Sequence, residues 1–153
     1  MPLYGKVKPA PPRVIRYEFA ANHTGAMLAI PVPSDVAGRI ALPGGEPVED
    51  LHITLFFFGD AADVAPKGRE AIIYTALGAS AGCGPFEVVL DGTGLFPNNP
   101  ERPFFARVHS PGLEELRARI AKAFDEADID YSRDYEYRPH CTLKYLGEEP
   151  APG

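Results

Sequence analysis

Two stretches decide how this 153-residue chain is read: Leu51-His52-Ile53-Thr54-Leu55-Phe56-Phe57-Phe58-Gly59 and Pro139-His140-Cys141-Thr142-Leu143-Lys144-Tyr145-Leu146-Gly147. Each is a His-x-Thr-Leu segment that runs on to a glycine, and self-similarity of this kind marks an internal repeat. With 5 threonines and 12 leucines in the chain, composition alone places x-Thr-Leu after a given histidine about 0.3% of the time. Two of the four histidines would carry it roughly 4 times in 100,000 shuffled chains. The repeat is not a compositional accident.

Both stretches read as strands, in which side chains alternate between two faces. His52 and Thr54 then share one face, and Leu51, Ile53 and Leu55 the other. In the second copy His140, Thr142 and Lys144 point one way. Cys141, Leu143 and Tyr145 point the other, where a helix can cover them. The polar pairs line something wet. If a pseudo-twofold axis relates the copies, two imidazoles and two hydroxyls converge on one cleft, a set that suits phosphodiester chemistry. A base is needed for the attacking oxygen and an acid for the departing one, and histidine titrates near enough to neutrality for either. Threonine hydroxyls supply donors for the nonbridging oxygens. No Asp, Glu or Cys joins the polar face of the motif, and zinc takes at least three protein ligands. The expectation is therefore chemistry without metal or other cofactor.

The same alternation carries Lys144 into the cleft as a phosphate ligand and Phe56 to a place where it stacks on a base. Arg107, mid-strand among Phe105, Ala106 and Val108, needs a partner or a ligand. Tyr135, Tyr137 and Arg138 lie on the approach to His140, placed to close over a nucleotide.

Outward from the motifs, Ala26-Met-Leu-Ala-Ile-Pro-Val reads as a first strand stopped by Pro33, with Ser34 capping a short helix that Pro43-Gly44-Gly45 ends. An amphipathic helix is expected from Pro66 to Ala81, and strands from Phe86 to Leu95 and Phe104 to Val108. Ser110, Pro111 and the stripe Leu113, Leu116, Ile120, Phe124 predict a second helix. Residues 1–24, with Lys6, Lys8, Arg13 and Arg16 among four prolines, read as a basic extended arm; residues 25–147 form the domain and 148–153 a frayed tail. The element order predicts an α+β fold.

Composition narrows the function classes. The 45% hydrophobic and 24% charged content is that of a folded globular domain. A net charge of −6 argues against wrapping long duplex nucleic acid, whose affinity comes from neutralising phosphates. Cys83 and Cys141 are too far apart for a redox or zinc pair and read as reduced thiols. No apolar run approaches a membrane span of about 20 residues, nor is there a signal-peptide core. A cytoplasmic monomer, with no membrane partner and a small nucleotide or RNA end as substrate, is the expectation.

The paired His-x-Thr-Leu strands, with Glu49-Asp50-Leu51 before the first and Arg138-Pro139 before the second, resemble the two-histidine phosphoesterase superfamily, and within it LigT-like RNA ligases and cyclic nucleotide phosphodiesterases. The likeness runs from about Gly25 to Gly147. It implies a bilobal pseudo-twofold fold, two antiparallel sheets flanking a central cleft with helices outside. It also implies a metal-independent hydrolase of nucleotide phosphodiesters: 2′,3′-cyclic or 2′,5′-linked ends, or the cyclic oligonucleotide messengers of bacterial immunity, as in a phage anti-defence enzyme. Carried over residue by residue, the catalytic positions are His52, Thr54, His140 and Thr142. An RNA 2′,5′ ligase using the same residues, and a nucleotide-binding module without turnover, are the alternatives.

Overall fold

A computed structural model describes residues 4–7, 16–19, 25–133 and 136–152. The strands are β1 (Tyr4–Val7), β2 (Arg16–Phe19), β3 (Gly25–Pro31), β4 (His52–Asp60), β5 (Val88–Leu95), β6 (Pro103–His109) and β7 (His140–Tyr145), with helices α1 (Ser34–Ile40), α2 (Pro66–Ser80) and α3 (Pro111–Glu126). All strand pairs are antiparallel, in the order β1-β5-β6-β7-β4-β3-β2.

That order is nearly a palindrome, because the chain uses one unit twice. Strand β3, helix α1 and motif strand β4 correspond to β6, α3 and motif strand β7. The units meet at the pair Ile53↔Cys141, the middle residue of each His-x-Thr. Equivalent residues facing each other across an antiparallel pair put a local twofold axis through that point. The expectation of two separate sheets is corrected here: this pair joins the halves into one seven-stranded sheet. The basic segment before Gly25 supplies both outer strands, β1 against β5 and β2 against β3.

The helices pack on one face of the sheet. Val36, Ala37 and Ile40 of α1, Ile72 and Ala76 of α2, and Leu113, Leu116, Ile120 and Phe124 of α3 join Leu28, Ile30, Ile53, Leu55, Leu90, Ala106, Val108, Cys141 and Leu143 in one core. Helix α3 is held at its start as its sequence predicts: Ser110 Oγ accepts from Leu113 N at 3.1 Å and donates to Glu87 O. The start of α1 differs from expectation. Ser34 is its first helical residue, Pro33 holds the cap position and no side chain caps it. With the core on one side, the His-x-Thr side chains are left to the other.

Candidate active site

The burial of the two motif strands matches. Ile53 and Cys141 are buried on the helix side, while His52, Thr54, His140 and Thr142 are half-buried on the open side. With Ile53 opposite Cys141, antiparallel geometry sets His52 across from Thr142 and Thr54 across from His140. Two imidazole–hydroxyl couples therefore face one another about the axis.

Each imidazole is aimed by the same device. His52 Nδ1 lies 2.7 Å from Asp50 O, and His140 Nδ1 lies 2.7 Å from Arg138 O. A carbonyl can only accept, so both Nδ1 atoms carry hydrogen and both Nε2 atoms are left for the open face. The rings differ in their surroundings. Phe96 and Phe105 stand at 5.0 and 5.2 Å from the His140 ring. Burial lowers the His140 pKa below the ordinary imidazole value; the bond to Arg138 opposes this and the nearby His52 adds to it. His140 is thus held toward its neutral form, with a lone pair on Nε2.

After each threonine the strict alternation breaks, and it breaks alike in both copies. Thr54 pairs with Ala29 but Phe56 with Leu28, and Thr142 pairs with Phe105 but Lys144 with Phe104. Leu55 and Leu143 are the extra residues of two β-bulges. A bulge reverses the phase of everything that follows, which corrects three expectations. Phe56 turns into the core, edge-on to Phe124 at 5.0 Å and Tyr131 at 4.8 Å, and stacks on no ligand. Lys144 leaves the alternation and pairs with Glu149 at 2.9 Å, above Gly44. Tyr145, expected under a helix, instead hydrogen-bonds with the Thr142 side chain. Both strands then close on a left-handed glycine, Gly59 (φ 86°) and Gly147 (φ 59°).

Bulged carbonyls need donors from outside the ladder. Leu143 O takes the Glu46 amide at 2.8 Å. Leu55 O takes Arg117 Nε at 3.0 Å, and the neighbouring Thr54 O takes the Tyr137 hydroxyl at 2.8 Å. The Arg117 guanidinium lies 4.5 Å from the Phe56 ring centre and 4.1 Å from that of Tyr137. Tyr137 is therefore a strut behind β4, its phenol pushed above its ordinary pKa by burial, and not a side chain free to close on substrate.

Arg107 is where its sequence setting implies, on the open face directly across from His140, and exposed; no described side chain pairs with it. Arg138 is exposed too, its carbonyl orienting His140. Tyr135 lies outside the described residues. Residues that alternation alone missed are Phe57, Tyr145, Arg117 and Met27, whose Sδ accepts from Thr54 Oγ1 at 3.3 Å. The signal for the first two was their equal spacing from the motif histidines, once the shared bulge is known.

Among the described residues no group of three or more His, Cys, Asp or Glu is placed to hold a metal. None of the described helices is long and apolar enough to cross a membrane.

This fold and these two histidine strands define the class of two-histidine phosphoesterases. Residues 39–152 match the model of the 2′-5′ RNA ligase superfamily, and the chain belongs to that family. A crystal structure of a phosphoesterase superposes with a TM-score of 0.61 at 22% identity, over 85% of this chain and 78% of that one, which shows the shared fold. No curated protein sequence matches the chain. The family supports an enzyme of phosphoesterase or ligase type acting on phosphodiesters.

Proposed function

We propose that the chain is a metal-independent phosphodiesterase of nucleotide substrates, with His140 as general base and His52 as general acid. The observation that carries this is the matched pair of imidazoles, each fixed at Nδ1 by the carbonyl two residues before it and each offering Nε2 to the same open face. The neutral bias of His140 suits it to take the proton from the attacking oxygen. As the new P–O bond forms, the old one breaks, and the leaving oxygen takes a proton from His52 Nε2. Water serves as nucleophile for a 2′,3′-cyclic phosphate, and a neighbouring ribose hydroxyl serves when an internucleotide link is cut. Thr54, on turning its hydroxyl from Met27 Sδ, and Thr142 donate to the nonbridging oxygens, and Arg107 offsets their charge. Ligation would run the same proton transfers in reverse.

A panel of 2′,3′-cyclic mononucleotides, 2′,5′-linked oligonucleotides and cyclic dinucleotides, read by mass spectrometry, tests this and separates hydrolysis from ligation. His52→Ala and His140→Ala should each lower turnover about 10²–10⁴-fold. Binding without product would leave a nucleotide-binding module, and wild-type rates in either variant would end the assignment. Activity should survive EDTA. Loss on chelation, restored by a divalent metal, would overturn the mechanism.

A further inference from the structure

The residues five places after each motif histidine, Phe57 and Tyr145, are both aromatic and both exposed, at 42% and 38%. Large side chains at that exposure on a paired strand contribute little to the core. The bulges at Leu55 and Leu143 put both on the histidine face. Phe57 is paired with Met27, whose sulfur accepts from Thr54, and Tyr145 hydrogen-bonds with Thr142. The Phe57 ring edge packs against Gly25, where a Cβ would come within 2.5 Å of Cε2 and 2.8 Å of Cζ, so the absence of a side chain there leaves room for the ring.

Their positions along the strands are equivalent and opposite. Counted in strand pairs from the axis at Ile53↔Cys141, each stands about three residues out, roughly 10 Å at about 3.3 Å per residue. A phosphate held on the axis by the two couples would have one aromatic ring on either side. Base–aromatic stacking accepts any base, since every base has a π-face.

We propose that Phe57 and Tyr145 are a matched pair of stacking residues that receive the nucleobases on the two sides of the scissile phosphate, so that the site selects internucleotide linkages over nucleoside 2′,3′-cyclic phosphates. This rests on the reading under Proposed function and adds the two base subsites to it.

The test compares steady-state kinetics on a dinucleoside monophosphate and on a nucleoside 2′,3′-cyclic phosphate for wild type, Phe57→Leu, Tyr145→Leu and Tyr145→Phe, with Tyr74→Leu, on exposed α2, as control. Both leucine variants should raise KM for the dinucleoside about 5- to 100-fold, more than they lower kcat. Tyr145→Phe should keep the wild-type KM, separating stacking from the bond to Thr142. For the cyclic mononucleotide, which has one base, at most one leucine variant should raise KM. Gly25→Ala, which displaces the Phe57 ring, should behave as Phe57→Leu. Unchanged dinucleoside KM in both leucine variants, or a wild-type preference for the cyclic mononucleotide, overturns the proposal. A wild type that cleaves nothing in the panel defeats the phosphodiesterase reading instead. Calorimetric titration with an uncleavable dinucleoside methylphosphonate then decides: weaker binding in both leucine variants supports the two subsites, and unchanged binding overturns them.

Discussion

Arg117→Met should destabilise the protein by about 2 kcal/mol, because Arg117 donates to the bulged carbonyl of Leu55. The wild-type side chain gives that carbonyl a charge-assisted bond at 3.0 Å, and such bonds contribute about 1.5–3 kcal/mol. Its guanidinium also lies within 4.5 Å of the Phe56 and Tyr137 ring centres, contacts worth about 0.5–1 kcal/mol each where partly exposed. Against this stands the cost of half-burying a charge, seen in the lowered Arg117 pKa. Methionine keeps the aliphatic stem and its packing, so the loss reports mainly the bond and the charge. For a domain of this length about 2 kcal/mol lowers Tm by roughly 4–8 °C, readable by calorimetry. Arg133→Met is the control. It pairs with a carboxylate, that of Asp125, but both side chains are more than half exposed, and such surface pairs add little to stability. If Arg117→Met melts within a degree of wild type, the bulge does not depend on this arginine and the account of the β4 edge is wrong.

Three further outcomes are expected. Folding lowers the His140 pKa, so the stability contributed by burying its neutral ring is present at neutral pH and is lost as pH falls below 6.5 through the folded value. If His140 is the base as proposed, the same proton removes it, so the acidic limb of kcat/KM should lie below 6.5, and Phe96→Ser, by wetting the ring, should move that limb upward. The Cys141 thiol, pushed up to about 12 by burial, should resist alkylation at pH 8, so that peptide mapping finds it modified only after unfolding. Phe124→Ala empties a fully buried site that meets Phe56, Phe58 and Tyr131 edge-on or tilted, and should cost about 3–5 kcal/mol in denaturant unfolding with the m value unchanged.

The parts of the fold legible in the sequence are those that follow from period and punctuation. The stripe Leu113, Leu116, Ile120, Phe124 is one face of α3 and lies wholly in the core. Ser110 caps that helix, and Gly59 and Gly147, near the ends of the motif strands, take positive φ. His52, Thr54, His140 and Thr142 emerge on a common face because the alternation holds as far as each threonine. It fails one residue later. A β-bulge is a property of a pair of strands, set by what the partner and its donors do, and period-two counting along one strand does not contain it. Phe56, Lys144 and Tyr145 were misplaced for that one reason. Arg117 was missed because its target is a backbone carbonyl 62 residues away, and carbonyls leave no mark in a sequence.

The repeat places two chemically identical couples around one axis, and a reaction that needs a base and an acid cannot use them identically. The asymmetry that would separate their proposed roles comes from outside the two His-x-Thr couples. Phe96, in the turn-rich link between β5 and β6, and Phe105 of β6 pack against His140. Among the described residues no ring packs against His52 in the same way. In the first unit Ala29 stands across from Thr54, where the second has Phe105 across from Thr142. One substitution between equivalent positions, alanine for phenylalanine, therefore takes a symmetric pair of imidazoles and biases one toward the neutral state. Exchanging them, with Ala29→Phe and Phe105→Ala together, should relieve His140 and crowd His52. If the aromatic shell assigns the base, the acidic limb of kcat/KM in the double variant must follow the titration of His52, as measured by NMR, and no longer that of His140. A limb that still tracks His140 would show that the roles are set by substrate orientation and not by burial.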